Sequence, residues 1–482
     1  GEGYPNDVLT FNNLSLGADP ESNLIGSNYG QRTYTSILSR INYGYMDRYF
    51  LTLVARRDGS SVFETGNKYA TFPSIGAAWI VSEEDFMQNQ DVISNLKLRA
   101  SYGIVGEQGV PPYNSFARYN DEPMFLNDGR LNTVLLSSIP SQGLEWEKTY
   151  QSDVGLEIGF ANNRYSLEFD YYEKRTEDLL LEKPLPYTAG NTRLENVGEI
   201  ANKGFELSIS SVNIEKEDFV WSTSLSLSQN KSELISLGDG QDYITLDDVV
   251  AAGNGSPIRL TPGYPIPSFW GANNLGTYKT RSEIDADGRF GTSFLGGPRL
   301  EDQNGDGTWN PLDYVYQGSP EPDLFGGIRN VFSYKKWTLD TFAHFSIGNT
   351  MFNGSVAESY YARGAYLNLL PELKDRWTEE NYMSDIPRAG TAFGTYVTNN
   401  ETSFQDGSFF RLKNVTLTYD LDNPPFVRDA SIYLSAQNLL LISDYKWGDP
   451  EVSQYGNQLN RGVSDSTYPY STSVSLGLNI KF

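Results

Sequence analysis

The last thirteen residues, YSTSVSLGLNIKF (470–482), alternate without a break. Tyr470, Thr472, Val474, Leu476, Leu478, Ile480 and Phe482 fall on one side, and Ser471, Ser473, Ser475, Gly477, Asn479 and Lys481 on the other. A period of two predicts a strand with one apolar and one wet face. The same period recurs upstream. In SILSRINYGYMDRYFLTLVARRDGSS (36–61), Ile37, Ile41, Tyr43 and Tyr45 alternate with Leu38, Arg40, Asn42 and Gly44. A tight Met46-Asp47-Arg48 turn then leads into Tyr49, Leu51, Leu53 and Ala55 opposite Phe50, Thr52, Val54 and Arg56. SDVGLEIGFANNRYSLEFDYYEKRT (152–176) repeats this hairpin about Asn162-Asn163. Further strands are predicted at 96–103, 204–211, 220–229 and 431–440, with a hairpin over 326–347 turning at Lys335-Lys336, a dozen to fourteen in all, and one short helix at 370–382.

Alternation alone also fits a soluble sandwich, whose outer face is the polar one. Two features favour a transmembrane antiparallel β-barrel. Many strands run to about ten residues, the length of a tilted membrane crossing. Short turns also alternate with long polar stretches at 104–143, 238–324 and 348–408, the asymmetry of outer-membrane barrels with long extracellular loops. A simple edge strand of a soluble sheet is the plainer account of the C-terminus, whereas a terminal Phe482 on an apolar strand face suits a signal to barrel-assembly machinery.

Composition sharpens this picture. No run approaches the roughly 18 apolar residues of a membrane helix, but that test does not see barrels, and a mean hydropathy of -0.45 is compatible with alternating strands. The 32 Tyr and 25 Phe suit interfacial girdles, and the lack of Cys suits an oxidising envelope compartment. With 37 Lys+Arg against 61 Asp+Glu, the formal charge of -24 repels phosphates, so no nucleic acid partner is expected. The opening GEGYPND has neither a charged start nor an apolar run, so a leader is expected to have been removed or to belong to a longer polypeptide.

The segments RRDGSSVFETGNKYATFPSIGAAWIVSEEDF (56–86) and ISNLKLRASYGIVGEQG (93–109) resemble the barrel of SusC/RagA-type TonB-dependent outer-membrane transporters. The resemblance continues through 143–164, 171–192 and 196–207, then GYPIPSFWG (263–271), DQNGDGTWNPLDYVYQGSPEPDLFGGIRN (302–330), DRWTEEN (375–381), SFFRLKNVTLTYDL (408–421) and SAQNLLLISDYKWGDPE (435–451). It implies a large barrel of about 22 strands closed by a plug. It also implies a SusD-like surface lipoprotein as lid, and a TonB complex that acts through an N-terminal part. Residues 1–482 carry no recognisable plug or TonB box and too few strands. They are therefore expected to be the C-terminal portion of such a barrel in the outer membrane of a Gram-negative bacterium, in contact with its lipid. The implied function is import of oligosaccharides or peptides, without covalent chemistry. The alternative is a secreted calcium-dependent β-rich glycan-binding or adhesion protein.

Candidate sites are few. DQNGDGTWNPLD (302–313) has the spacing of a Ca²⁺ loop, with Asp302, Asn304, Asp306, Thr308, Asn310 and Asp313 as oxygen donors and Gly307 at the sharp turn. An acidic turn explains the same residues. Asp-Gly pairs at Asp58, Asp128, Asp239, Asp287 and Asp406 lack that spacing and read as turns. His344, the one histidine, is on the expected lumen face beside Asp340 and Phe342. A catalytic triad could form only around it, thiol chemistry lacks its residue, and the acid pairs Glu83-Glu84 and Asp247-Asp248 carry no catalytic spacing, so no enzyme is expected. Among Trp270, Trp309, Trp377 and Trp447, which suit either a membrane interface or a sugar face, Phe269, Trp270 and Trp309 are the substrate-side candidates because they fall in long loops.

Overall fold

The computed structural model describes residues 29–126, 129–141, 143–184, 192–238, 241–246, 256–287, 293–356, 370–389, 402–422, 427–453, 458–464 and 467–482. Thirteen long strands form its frame. They are β1 (Tyr34–Tyr45), β2 (Tyr49–Ser60), β3 (Tyr69–Ile80), β4 (Ile93–Glu107), β5 (Glu147–Phe160), β6 (Tyr165–Glu177), β7 (Glu199–Lys216), β8 (Phe219–Ser236), β9 (Leu324–Tyr334), β10 (Trp337–Ile347), β11 (Phe409–Asp420), β12 (Asp429–Ser443) and β13 (Ser473–Lys481). All pair antiparallel with their neighbours in chain order, giving one continuous wall.

The connections alternate between two ends of the wall, one carrying mostly short turns and the other mostly long loops. The short end carries 46–48, 81–92, 161–164, 217–218, 335–336 and 421–428, and the long end carries 61–68, 108–146, 178–198, 237–323, 348–408 and 444–472. Met46, Asp47, Asn162, Asn163 and Lys335 all have φ between 53° and 59°. That left-handed backbone matches the twist of a two-stranded hairpin, which is why such tight turns do not splay the strands. β1 and β13 are odd-numbered strands of an alternating series, so both edges of the wall run from the long end to the short end. An antiparallel barrel cannot close by pairing two such edges with each other, so closure requires an odd number of further strands.

The register places the apolar rows on one face throughout. Tyr43, Leu51, Ala77, Ala100 and Val154 lie side by side across β1 to β5, and Leu412, Leu440, Leu434 and Leu476 continue that face at the other edge. These side chains are open: Val154 is 58 % exposed, Leu476 77 % and Phe482, just beyond β13, 93 %. The strand start at Ser473 leaves Tyr470 outside β13, where its ring lies over Arg411 and Lys413 instead of extending the apolar row.

The buried core lies at the long-loop end. Ile258, Phe269, Phe352, Phe404 and Val463 join three loops in one cluster, and Leu234, Leu237 and Leu260 form a second against the end of β8. A third, Val62, Phe63, Phe72, Val110, Leu144 and Trp146, fills the gap where β3 and β4 part. Pro73 sits at that parting: it pairs with Ala55 of β2, while β3 joins β4 only from Ser74 onward, so the missing amide N–H costs no ladder bond.

Two local expectations are corrected. The predicted helix at 370–382 is a 3₁₀ turn, Pro371–Asp375. Pro371 suits a first helical position, but Trp377 N–H bonds Ile386 O at 2.8 Å and draws the chain back on itself. A seven-residue helix forms instead at Arg281–Asp287, capped by the Thr280 hydroxyl and Glu283. Asp58 is not a turn residue: it lies in β2, fully buried, paired with Arg56 at 2.7 Å and accepting from Ser36 at 2.6 Å. Asp287 ends the helix and Asp406 ends a three-residue strand, while Asp128, Asp239, Asp247 and Asp248 lie outside the described residues.

Long side chains cross over glycine on the inner face. A Cβ on Gly155 of β5 would stand 2.3 Å from Asp170 and 3.1 Å from the Arg99 guanidinium, so Arg99 of β4 reaches Asp170 of β6 only because β5 has no side chain there. Replacing Gly155 with Val should break this bridge and cost about 1–3 kcal/mol, the usual range for forced overpacking. The check is the urea midpoint of the heat-modifiable folded band in detergent, with Ser152→Val as a control.

Candidate functional site: the inner wall and its mouth

The face opposite the apolar rows is charged and largely self-paired. Arg99 meets Glu157 at 3.0 Å, Glu168 at 2.7 Å and Asp170 at 2.9 Å, and Lys97 meets Glu157 at 3.0 Å. Arg329 and Asp340 pair through two guanidinium nitrogens on β9 and β10. Partly exposed pairs of this kind contribute little stability each, about 0–1 kcal/mol, so their consequence is chiefly a wettable surface without a large local field. Asp340 is thus occupied by Arg329 and does not orient His344.

His344 belongs to a clamp at the long-loop end. Its Nε2 lies 3.0 Å from Glu451, which also pairs with Lys413 at 3.3 Å and with Arg411. Arg411 and Asp449, 2 % exposed each, are 2.5 Å apart, and Tyr470 N–H donates to Asp449. The loop 444–472 is thereby tied to β10 and β11. Burial alone would raise the Glu451 carboxyl, but the hydrogen bond from His344 and the charges of His344, Arg411 and Lys413 outweigh it and hold Glu451 below its ordinary value. The partners of His344 are acids and aromatic rings, a structural setting rather than a triad.

At the mouth, the loop pieces 263–266 and 316–323 pack over the long-loop ends of β7 and β8. Glu321 accepts from Ser232 N–H at 2.9 Å and Ser232 Oγ at 2.5 Å, and also bonds Asn230. Beside this anchor lies a polar concavity of about 480 Å³ whose lining includes Asn202, Asn230, Tyr264, Tyr316, Glu321 and Asp323. Tyr264 packs at 4.8 Å from Trp270 and 5.0 Å from Tyr316, an aromatic wall with polar groups opposite. Burial, then the charges of Asp323 and Glu321, push the Tyr316 hydroxyl up, so it stays a neutral donor at neutral pH. Such a surface can hold a flexible polar oligomer by stacking and hydrogen bonds.

The sequence-chosen aromatics divide. Phe269 is fully buried among Ile258, Phe352, Phe404 and Val463, so it shapes the loop layer from within and offers no surface to a substrate. Trp270 is half-buried, donates to Ser268 Oγ at 3.0 Å and backs the Tyr264 and Tyr316 rings. Trp309 packs with Tyr314 against Ala272 and Leu300, away from the concavity. Trp377 is buried against Gly296, and Trp447 is 51 % exposed. Tyr264, Tyr316 and Asp323 escaped the sequence reading, although GYPIPSFWG and QGSPEPD, which bring them in, are dense in turn-forming Pro and Gly.

The Asp302–Asp313 loop closes on its own amides. Asp302 accepts from Gly305 and Gly307, Asp306 from Thr308, and the buried Asp313 from Gln303, Asn304 and Asn310. Asn310 caps the 3₁₀ turn Pro311–Asp313 through Leu312 N–H. Hydrogen bonds from Thr308 hold the Asp306 carboxyl below its ordinary range. Among the described residues, no three His, Asp or Glu side chains are grouped together.

Two outcomes follow. Asp313→Ala leaves three amides without their acceptor and should loosen the corner by roughly 2–4 kcal/mol, read as faster protease cleavage within 302–313. Glu451, with its folded pKa lowered, stabilises above its ordinary value of 4.5, and that stability is lost as pH falls through 4.5 and below. Hydrogen exchange across 444–472, taken relative to the unfolded-chain rate at the same pH, should therefore quicken below about pH 4.5, and Glu451→Gln should quicken it already at pH 7.

Comparison with known proteins agrees with this architecture. The family described as TonB dependent receptor-like, beta-barrel, matches residues 3–439. A TonB-dependent receptor of Formosa agariphila is 41 % identical over 100 % of this chain and 49 % of its own length, and the TonB-dependent receptor SusC of Bacteroides thetaiotaomicron is 29 % identical over 94 % of this chain and 44 % of its own. The solved RagAB peptide transporter superposes with a TM-score of 0.80 at 28 % identity, over 97 % of this chain and 50 % of that one. The chain thus spans about half the length of the relatives it matches. It belongs to the TonB-dependent receptors of the Gram-negative outer membrane, as barrel wall of the SusC/RagA type.

Proposed function

We propose that this chain supplies the C-terminal wall of a SusC-type importer that carries oligosaccharides or peptides across the outer membrane. One observation carries the reading: a thirteen-strand wall, apolar outside and charged inside, whose two edges run the same way. If the whole barrel has about 22 strands, 22 − 13 leaves roughly nine, an odd number as closure requires. Those strands and a plug would come from the remainder of the protein, with TonB acting through it and a SusD-like lipoprotein seated on the long-loop end. Phe482, open at the short end of β13, is proposed as the mark read by barrel-assembly machinery.

The inner wall passes cargo without bonding chemistry, and the concavity at Tyr264 and Tyr316 gives an entering oligomer its first contacts. Against the secreted-binder alternative stands the long exposed apolar face, which water would not tolerate over this extent. Calcium at Asp302, Asn304, Asp306, Thr308, Asn310 and Asp313 is a separate proposal, since the ion would have to draw these oxygens away from their amides. A saturable heat on titrating Ca²⁺ into the detergent-purified protein supports it, and its absence removes it.

The test uses the full-length protein in its own outer membrane. Deleting its gene should abolish uptake of one oligomer class, glycan or peptide, and a protonophore should do the same to the wild type. Tyr316→Ala should raise the half-saturating concentration several-fold at unchanged barrel abundance. Recovery of the protein as a soluble species without detergent would overturn the reading.

A further inference from the structure

On the apolar face of β1 to β5, the rows of bulky side chains are interrupted by small ones. Tyr43, Leu51, Ala77, Ala100 and Val154 are register partners across β1 to β5, and the two alanines make the row dip at its middle. The row toward the short end is bulky, with Tyr49, Trp79 and Leu98 in register. The result is an apolar recess of about 760 Å³ with Tyr43, Tyr49, Trp79, Leu98 and Val154 in its lining. A second hollow of about 310 Å³, floored by Ala55 and Pro73 between Ile41, Ile75 and Tyr102, continues the same face toward the long end. From the Trp79 row to the Pro73 row is six residues, or roughly 20 Å of strand. With strands tilted by about 40°, that spans roughly 15 Å of depth, about the hydrocarbon of one leaflet.

The lower end of this trough is rigid. Tyr49 and Trp79 stack at 6.2 Å with 13° between their planes, and Glu84 accepts from both, at 2.5 Å from Tyr49 Oη and 2.9 Å from Trp79 Nε1. Arg48 bonds the same Glu84 at 3.1 Å and Asp85 at 3.0 Å. A stacked aromatic pair held by a polar knot marks the depth at which hydrocarbon gives way to headgroups, on the short-turn side that faces the periplasm. The trough therefore begins at the headgroup level of the inner leaflet and runs into the hydrocarbon.

We propose that this trough is a binding site for one acyl chain of an inner-leaflet diacyl phospholipid, with Ala77 and Ala100 giving the chain its seat. It lies on the face that already meets lipid, so its occupant is continuous with an interface the fold requires. The dip exposes more apolar wall to a single chain than a bulky row does, and Trp79 and Tyr49 stop the chain at its headgroup end. An ordered lipid here would fill the only place on β1 to β5 where two adjacent lipid-facing side chains in one row are alanine.

The experiment is native mass spectrometry of the full-length protein, extracted in mild detergent and washed to remove loose lipid. Wild type should keep about one phospholipid per barrel. The Ala77→Phe/Ala100→Phe variant should keep at least fivefold less, while Leu417→Phe, on the same face far from the trough, should match wild type. Equal retention in all three would overturn the proposal, as would retained lipopolysaccharide in place of phospholipid or a second barrel copy covering the face. Should the double variant fail to assemble, a photoactivatable acyl-chain phospholipid in nanodiscs with the wild type decides instead. Adducts concentrated on β3 and β4 uphold the site, and adducts spread evenly around the barrel overturn it.

Discussion

Every strand of this wall must find partners for its backbone amides without help from water. In hydrocarbon an unpaired N–H or C=O costs several kcal/mol, so a spanning sheet is stable only when each ladder is complete and no edge is left open. That single requirement sets the rest: thirteen strands in unbroken neighbour order, joined at one end mostly by tight turns and at the other mostly by long loops. It also makes the edges at β1 and β13 the strongest statement the chain makes about its own surroundings. Two edges pointing the same way must be joined through an odd set of strands, and nothing within the wall can substitute for them.

The same constraint displaces the hydrophobic core. A soluble sheet protein buries its apolar rows face to face, whereas here those rows stay outward and lipid takes the place of a second layer. Burial then becomes available only where water returns, in the long loops. Phe269, Phe352, Phe404 and Val463 meet there across three connections, and Trp146, Phe63 and Phe72 meet where β3 and β4 part. Those cores hold the mouth in shape, so Tyr264, Tyr316 and Glu321 have fixed positions even though every one of them is a loop residue. The buried Arg411 and Asp449 pair does the same for the last loop.

The wall was legible in the sequence wherever alternation ran clean, as in β1, β2, β5, β6 and β13. It faded in β3, YATFPSIGAAWI, where Pro73, Gly76, Ala77 and Ala78 blunt the contrast between faces. There the family resemblance, rather than the period, marked the segment. Loop architecture was not legible, because its contacts join residues more than 100 apart: Phe352 pairs with Val463 and Phe269 packs on Phe404 for reasons that no local pattern encodes. For the same reason Phe269 looked like a surface aromatic and proved to be core, and Asp58-Gly59 looked like a turn and proved to be strand. In 302–313 the Asp and Asn spacing serves Asx turns as well as it would serve a cation, since both need short oxygen-bearing side chains beside a glycine.

Glycine on the inner face ties the constraint to transport. Gly155 lets Arg99 lie across β5 to Asp170, and Gly204 lets Tyr172 lie across β7, where its hydroxyl donates to Asn230 of β8 at 2.9 Å. In each case a side chain bridges three strands while staying flat on the wall. Had the middle strand carried a side chain, the bridging group would have been forced inward, off the wall. A wall stiffened along its own surface keeps its cross-section, which the proposed importer would need more than any single binding residue. The inner polar face is therefore best understood as bracing that happens to be wettable, while the proposed recognition falls to the mouth, where the loops have a core to stand on.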